Sequence, residues 1–172
     1  LNFIYYKVLD VSAEASQSVL LLSEVMHHAL APVHADGKTD LSQEITHIEK
    51  YVRLNQLRFS YPLYLDLQLD KDAAAGHRLP PLTLLPIVEN MFHHGDLTSP
   101  SAPATVILRC AGNTLHFETA NRKRTSPPRP GHGIGLQNVQ TRLKRFYTES
   151  GYSLHMREDA SHYSVHLKLT LT

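Results

Sequence analysis

Hydrophobic residues recur with a helical period in four stretches of this chain and alternate with polar residues in five others. The helical stretches lie at 1–30, 40–59, 82–95 and after residue 131, and the first has a predicted interruption at 10–12, where Ser12 is a good N-cap. The alternating stretches at 63–69, 106–110, 115–119, 154–156 and 165–171 predict strands. The second and third of these form one predicted hairpin, and the last two form another.

Polar segments that contain proline or glycine separate these elements. Residues 31–38 are the candidate boundary between a helical segment at 1–36 and a second domain at 37–172. The helix that follows starts at Asp40 or Ser42, with Glu44 near the capping position for either choice. Residues 71–78 and 96–103 are predicted loops. Residues 121–130 (NRKRTSPPRP) hold four cations and three prolines, so they form a solvated loop or a lid over a ligand.

The composition narrows the class of protein. The 172 residues are 42% hydrophobic, enough for one domain with a full core, and the net charge of +1 gives no case for direct binding of nucleic acid or a membrane surface. Cys110 is the single cysteine, which excludes an internal disulfide and fits a reducing compartment. No stretch approaches the roughly 20 apolar residues of a membrane span, and no signal peptide is visible. Because the chain starts inside an amphipathic pattern without methionine, we expect a fragment of a longer protein.

The stretch 82–95 (LTLLPIVENMFHHG) carries candidate chemistry on one helix face. Glu89, Asn90, His93 and His94 lie within about one and a half turns, opposite the apolar stripe. Carboxylate and carboxamide oxygens suit Mg²⁺, and histidines can approach phosphate oxygens. This pattern predicts a metal–phosphate site, and the alternative is a surface helix with a polar stripe that Gly95 caps.

A second candidate is the glycine-rich stretch GHGIGL at 131–136. Gly131, Gly133 and Gly135 have no Cβ, so backbone N–H groups can wrap around phosphate oxygens at the start of the helix that follows. Alone the pattern is weak, since tight turns use it too. It matches neither the Rossmann fingerprint nor a P-loop.

The ordered combination of motifs is far more specific. An E-N-x-x-x-H-G helix, a strand ending in Asn121, a polar lid, G-x-G-I-G-L and N-x-x-x-R-L follow one another. In this order they resemble the ATP-binding fold of histidine kinases, gyrase, Hsp90 and MutL, and most closely the LytS-type sensor histidine kinases. An upstream motif of that family is matched by Leu41, Glu44, Ile48, Tyr51, Arg58 and Phe59. The resemblance implies a two-layer α/β (α+β) sandwich, with a mixed, mostly antiparallel sheet that carries helices on one face, and a truncated helical dimerisation segment before it.

The resemblance also implies roles for individual residues. Asn90 would coordinate the Mg²⁺ that bridges the ATP phosphates, and Glu89 would orient that metal's water shell or assist proton transfer. Asn121 stands where related proteins have an aspartate that binds the adenine amino group, so its uncharged oxygen predicts a weaker bond. Lys123 and Thr125 replace glycines of the family pattern. The full set of implied nucleotide contacts is Asn90, His93, His94, Asn121, Gly131, Gly133, Gly135, Leu136 and Asn138.

For the intact protein the resemblance implies a histidine kinase that moves the γ-phosphoryl group of ATP to a histidine, and then to an aspartate of a response regulator, expected to carry a LytTR-type DNA-binding domain. The phospho-accepting histidine would lie upstream of Leu1, so we expect this fragment to be inactive in autophosphorylation. His27 and His28 are interpreted as exposed or interfacial. The intact protein would be a homodimer, cytoplasmic in this part and attached to the bacterial inner membrane through other segments.

Two other interpretations remain open. The first is a degenerate module of the same fold that acts through protein partners, which the altered adenine site favours. The second is a histidine-rich metal-binding protein, since the chain has 12 histidines. The adjacent pairs 27–28 and 93–94 point to different helix faces, which argues against chelation.

Overall fold

The computed structural model describes residues 1–29, 33–59, 61–125 and 134–171. The chain begins with helices α1 (Asn2–Leu9) and α2 (Ala13–Ala29). The predicted interruption between them is confirmed: the Ser12 hydroxyl accepts a hydrogen bond of 3.1 Å from the Ala15 N–H, which caps α2. The side chains of His27 and His28 lie outside the described residues.

Helix α3 (Leu41–Arg58) follows a short strand, β1 (Thr39–Asp40), and packs against α2. An ion pair of 3.0 Å joins Lys50 of α3 to Glu24 of α2. Near the end of α3 the polar residue Asn55 is buried, and its amide donates to the Tyr51 carbonyl at 3.0 Å. The expectation that Glu44 caps α3 is wrong, because its carboxylate is fully buried and accepts hydrogen bonds from residues 82–84 instead.

The next elements are β2 (Leu65–Leu69), α4 (Lys71–Ala74) and β3 (Arg78–Leu79), which pairs antiparallel with β1. The half-buried strand predicted at 63–69 is confirmed. The loop predicted at 71–78 is wrong for α4, since the Asp70 carboxylate accepts from the Ala73 N–H at 3.0 Å and caps this one-turn helix.

Helix α5 (Leu85–His94) leads through β4 (Gly95–Asp96) to the hairpin of β5 (Ala104–Ala111) and β6 (Thr114–Lys123). Pro86 lies in the first turn of α5, where no backbone N–H is needed. The hairpin is confirmed, and Gly112 turns the chain with a φ of +55°. Strand β6 runs two residues beyond the predicted end at Asn121, because residues 122 and 123 pair with β4.

The chain ends with α6 (Ile134–Phe146) and a second hairpin of β7 (Tyr152–Glu158) and β8 (His162–Thr170). The six-stranded sheet has the order β2-β5-β6-β8-β7, with β4 beside the end of β6. Only β2 and β5 run parallel among these pairs. The inward residues of the sheet pack against α3, α5 and α6 in one hydrophobic core.

The predicted fold class is therefore confirmed: a mixed, mostly antiparallel sheet with helices on one face, after a helical segment. The division at residue 36 stays a prediction. Within the described ranges, no helix combines the length and apolar character needed to cross a bilayer.

Candidate functional site

The candidate site lies where the end of α5 meets the ends of β6 and β8. The backbone N–H of Gly95 caps α5 by donating to the Met91 carbonyl. Gly95 then pairs with Lys123 of β6, and the Arg124 N–H donates to the His94 carbonyl at 2.9 Å. Backbone pairing at Gly95 and the hydrogen bond to the His94 carbonyl thus attach the C-terminal end of α5 to the end of β6.

Close packing at this junction explains why Gly95 has no side chain. A Cβ at Gly95 would lie 2.5 Å from the Met91 carbonyl oxygen, 2.9 Å from Leu97 Cδ1 and 3.0 Å from Asn121 Cγ. Its φ of −81° and ψ of 146° suit any residue, so the requirement is steric. The glycine lets the Asn121 side chain approach the backbone of α5.

Asn121 brings an unsatisfied acceptor to the site. The side chain is 3% exposed, and its Nδ2 donates to the Arg122 carbonyl at 2.8 Å. Its buried Oδ1 has no hydrogen-bond partner within the part of the chain that is described. A buried acceptor left unpaired is costly, so this oxygen is suited to a donor that arrives with a ligand or a water. An adenine amino group is a donor of that kind, so Asn121 fits the predicted nucleotide.

Tyr163 connects Asn121 to Asn90. It lies directly opposite Asn121 in the pairing of β6 with β8, and its hydroxyl hydrogen bonds to the Asn90 side chain. Burial raises the pKa of Tyr163, and the hydrogen bond to Asn90 partly opposes that rise. The hydroxyl is therefore neutral at physiological pH and orients the Asn90 carboxamide.

Glu89 faces a different neighbour. Burial raises the pKa of its carboxyl group above the usual value. The neighbour is Tyr51 of α3, whose pKa is raised to about 12, mainly by burial and then by the nearby Glu89 carboxylate. The Tyr51 ring packs edge-on against the Phe92 ring, with 5.4 Å between the ring centroids. A carboxylate with a raised pKa holds protons more readily, which suits a group that accepts a proton during a reaction.

The remaining predicted residues of α5 lie at its C-terminal end. His93 is exposed and His94 is half-buried. Asp96 follows in β4, where it accepts two hydrogen bonds from Thr98, at 2.6 Å from the hydroxyl and 3.0 Å from the N–H. These bonds hold the pKa of Asp96 below its usual value, with help from the charges of Arg122 and Arg124.

The predicted contacts on α6 differ in their surroundings. Gly135 lies in the first turn, where a Cβ would meet Pro86 Cβ of α5 at 3.8 Å. Leu136 is 9% exposed and belongs to the core, and Asn138 is exposed. Gly131 and Gly133 lie outside the described residues. The first turns of α5 and α6 are therefore adjacent, and the functional assignment of these residues stays a prediction.

The segment after Asn121 departs from the predicted loop. Lys123 belongs to β6, its N–H donates to the Ser161 carbonyl at 2.7 Å, and its Nζ lies 3.0 Å from Glu158 Oε2 and 2.7 Å from the Asp159 carbonyl oxygen. The beginning of the predicted lid is thus attached to the β7–β8 turn. The rest of that stretch, 126–130, lies outside the described residues.

The sequence pattern predicted no role for Tyr163 or Arg142, and for Glu44 it predicted only a cap of its own helix. Glu44 and Arg142 occupy positions of the family motifs, so the sequence offered a signal for both. For Tyr163 the only signal was that it follows the alternating pattern of the inward residues of β8. No group of three or more His, Cys, Asp or Glu side chains is arranged to hold a metal ion within the described ranges.

Known structures share this fold. A histidine kinase domain of the blue-light activated kinase EL346 from Erythrobacter litoralis aligns with a TM-score of 0.56 and 13% identity, covering 97% of this chain and 84% of the other. The Acinetobacter baumannii histidine kinase AdeS aligns with a TM-score of 0.50 and 10% identity, covering 96% and 81%. At these identities the likeness concerns the fold, which is that of the histidine kinases.

Sequence comparisons point to the family. Residues 1–63 match the family model described as histidine kinase. Sensor histidine kinase BtsS of Escherichia coli is 28% identical over 93% of this chain, YpdA of the same organism is 26% identical over 83%, and LytS of Oceanobacillus iheyensis is 23% identical over 80%. The predicted resemblance to LytS-type sensor histidine kinases is confirmed. The chain spans about a quarter of the length of these relatives.

Proposed function

We propose that this chain is the ATP-binding catalytic part of a two-component sensor histidine kinase. The observation that carries the proposal is the buried, unpaired Oδ1 of Asn121. Asn121 lies opposite Tyr163 in the sheet, and Tyr163 hydrogen bonds to Asn90. This oxygen stands at the position where the motifs predict an acceptor for adenine. In this proposal residues 37–172 are the catalytic domain, and residues 1–36 belong to the helical dimerisation region.

The chain's own residues would divide the work of binding. Asn121 would accept from the adenine amino group, and Asn90, oriented by Tyr163, would provide an oxygen ligand to Mg²⁺. His93, His94, Gly131, Gly133, Gly135, Leu136 and Asn138 would complete the nucleotide contacts. ATP would supply the phosphoryl group, and Mg²⁺ would neutralise negative charge on its phosphates.

Positioning would provide most of the catalysis. Asn90 and the backbone N–H groups at the start of α6 would hold the phosphates in one orientation, and the core-packed helices would keep those groups preorganised. Glu89, with its raised pKa, would orient a water molecule or accept a proton. The acceptor would be a histidine outside this chain, and a response regulator aspartate would then receive the phosphoryl group.

The whole protein's setting is part of the same proposal. We expect a homodimer whose cytoplasmic portion includes this chain and whose attachment to the bacterial inner membrane lies in other segments. The partner that accepts the phosphoryl group would be a response regulator with a LytTR-type DNA-binding domain, so this chain itself would bind no nucleic acid.

One observation favours the alternative, a degenerate kinase-like module that acts through protein partners. The Lys123 side chain replaces a family glycine, and it forms an ion pair with Glu158 that ties the start of the lid to the β7–β8 turn. A segment held in this way has less freedom to open around a nucleotide. Nucleotide binding separates the two candidates.

The test is base selectivity. Adenine presents an amino donor where guanine presents a carbonyl acceptor, so Oδ1 of Asn121 favours adenine. We expect calorimetry to show that the 172-residue chain binds a non-hydrolysable ATP analogue at least about 10-fold more tightly than the matching GTP analogue. The reason is that adenine forms a neutral hydrogen bond and leaves no buried acceptor unpaired, which together amount to about 1.5 kcal/mol.

Two variants sharpen this test. Asn121→Ala removes the acceptor and should bring the ratio of the two affinities close to one. Leu115→Ala, at a buried inward position six residues earlier in β6, is the control and should leave the ratio unchanged. A ratio that Asn121→Ala does not alter contradicts the adenine contact, and no binding of either analogue at millimolar concentration supports the degenerate module.

A further inference from the structure

The start of α5 is held by a buried carboxylate from another helix. Glu44 of α3 is fully buried, and it accepts three backbone hydrogen bonds: from Leu82 at 2.7 Å, Thr83 at 3.1 Å and Leu84 at 3.0 Å. These N–H groups immediately precede α5 or begin it, where a helix has no internal acceptors for its donors. These three bonds offset part of the cost of burying the carboxylate, and burial still raises the pKa of Glu44 above its usual value.

The backbone at this point has an unusual conformation. Leu82 has a φ of +54°, in the left-handed region that residues with a Cβ rarely adopt. Such a conformation persists only where surrounding contacts impose it. The hydrogen bond from the Leu82 N–H to Glu44 is one of these contacts.

Arg142 of α6 provides the other contact. Its Nη1 donates to the Leu82 carbonyl oxygen. A single residue, Leu82, is therefore bound through its N–H by a carboxylate of α3 and through its carbonyl by a guanidinium of α6. The positive charge of Arg142 also attracts the Glu44 carboxylate. This attraction lowers the pKa of Glu44, although burial raises it by more.

This hydrogen bond links α6 to the residue that precedes the start of α5. The first turns of the two helices also approach each other closely, since a Cβ at Gly135 would lie 3.8 Å from Pro86 Cβ. Arg142 lies seven residues further along α6, which is about 10 Å along a helix axis. The hydrogen bond of Arg142 therefore restrains α6 about two turns away from the point where the two helices approach each other.

We propose that Glu44 and Arg142 are positioning residues for nucleotide binding, which act through the Leu82 peptide to hold the first turn of α6 beside α5. This inference rests on the proposed function, because it concerns the same site. Neither residue contacts the nucleotide in this proposal. Their effect is to keep Gly135 on α6 and Asn90 on α5 in a fixed relation.

The experiment compares nucleotide affinity with stability in the 172-residue chain. Arg142→Met keeps the length of the side chain and removes the donor, whereas Arg142→Lys keeps a donor and the charge. Leu115→Ala is the matched control, since it destabilises the core at the far end of β6. Affinity for a non-hydrolysable ATP analogue with Mg²⁺ is measured by calorimetry at a temperature where thermal unfolding curves find every variant folded.

We expect Arg142→Met to weaken analogue binding by about 10-fold, because nucleotide binding must then impose the arrangement that the hydrogen bond from a charged group to Leu82 no longer holds. Arg142→Lys should lose less. Leu115→Ala should bind within about 2-fold of the wild type, because a change of stability alone does not alter the affinity of the folded state. Glu44→Gln should add little to Arg142→Met in the double variant, since both act on the same peptide.

Each other outcome has a definite meaning. Wild-type affinity in Arg142→Met, or equal losses in Arg142→Met and Leu115→Ala, overturns the positioning role and leaves the proposed function intact. Absence of analogue binding by the wild-type chain overturns the proposed function and the positioning role together.

Discussion

The glycine at the end of α5 provides a direct test of the packing at the candidate site. Replacing Gly95 by alanine places a Cβ 2.5 Å from the Met91 carbonyl oxygen, where ordinary van der Waals contact begins at 3.4 Å. The conflict involves the backbone of α5 itself, so a side-chain rotation cannot relieve it. The end of α5 must move by about 1 Å relative to β6, which separates Gly95 from Asn121.

Overpacking of a well-packed core costs about 1–3 kcal/mol, and a backbone conflict belongs at the upper end of that range. With a urea m-value of about 2 kcal/mol per molar, the unfolding midpoint should fall by about 1 to 1.5 M. Because Gly95→Ala also displaces Asn121, affinity for the ATP analogue should fall in the same variant.

Gly76→Ala is the control for this prediction. Gly76 has a φ of +78°, and nothing lies within 4 Å of the position that its Cβ would take. Alanine there should cost only the left-handed backbone, about 1 kcal/mol, and leave nucleotide affinity unchanged. A midpoint for Gly95→Ala equal to that of the wild type would refute the close packing of α5 against β6.

Three further predictions concern the surroundings of the site. Tyr163→Phe removes the hydroxyl that binds Asn90. Calorimetry should find that the variant binds the ATP analogue about 3- to 10-fold more weakly in the presence of Mg²⁺ and with unchanged affinity in its absence; equal losses under both conditions would contradict the role of Tyr163. Burial raises the folded-state pKa of Glu89 above 4.5, so its contribution to stability is full below pH 4.5 and is lost as pH rises through the folded-state pKa. Urea titrations should therefore show that Glu89→Gln gains stability over the wild type between pH 4 and pH 7, and a difference that is constant with pH would contradict this. Gly135→Ala meets Pro86 at an ordinary 3.8 Å and should stabilise the fold by about 0.5–1 kcal/mol through helix propensity, while weakening analogue binding; a lower melting temperature would contradict the open packing there.

Local patterns were sufficient for most of the fold. The alternation in β5 and β6 and the stripe of α3 predicted these elements because each buries one face, and burial imposes period 2 on a strand and period 3.6 on a helix. The cap at Ser12 was also visible, since capping depends on residues three apart. Helix α4 was missed although Asp70 and the alanines after it carried the signal, because a single turn has too little apolar periodicity to be recognised.

Other features depend on contacts between distant parts of the chain. Strand β6 continues past Asn121 because Arg122 pairs with His162 and Lys123 with Gly95, and a polar, cationic sequence gives no local sign of such pairing. Glu44 matches a capping pattern for its own helix, yet its acceptor capacity is used 38 to 40 residues away. Local capping and distant capping look alike in a sequence.

In the candidate site, too, some features could be predicted from local sequence and others depend on distant contacts. The motifs singled out Asn90 and Asn121 separately, and each is positioned by an element that the pattern predicted. Their meeting at Tyr163 depends on the register of β6 against β8, which sets Asn121 opposite Tyr163. A register is fixed by the packing of whole strands, so no single stretch of sequence contains it.

The most direct test of the central claim is calorimetric titration of the 172-residue chain with a non-hydrolysable ATP analogue, with and without Mg²⁺, for the wild type and Asn90→Ala. We expect binding that Mg²⁺ strengthens in the wild type, and loss of that strengthening in Asn90→Ala. No binding at millimolar analogue, or an Mg²⁺ effect that persists without the Asn90 side chain, would contradict a nucleotide site at the junction of α5, β6 and β8.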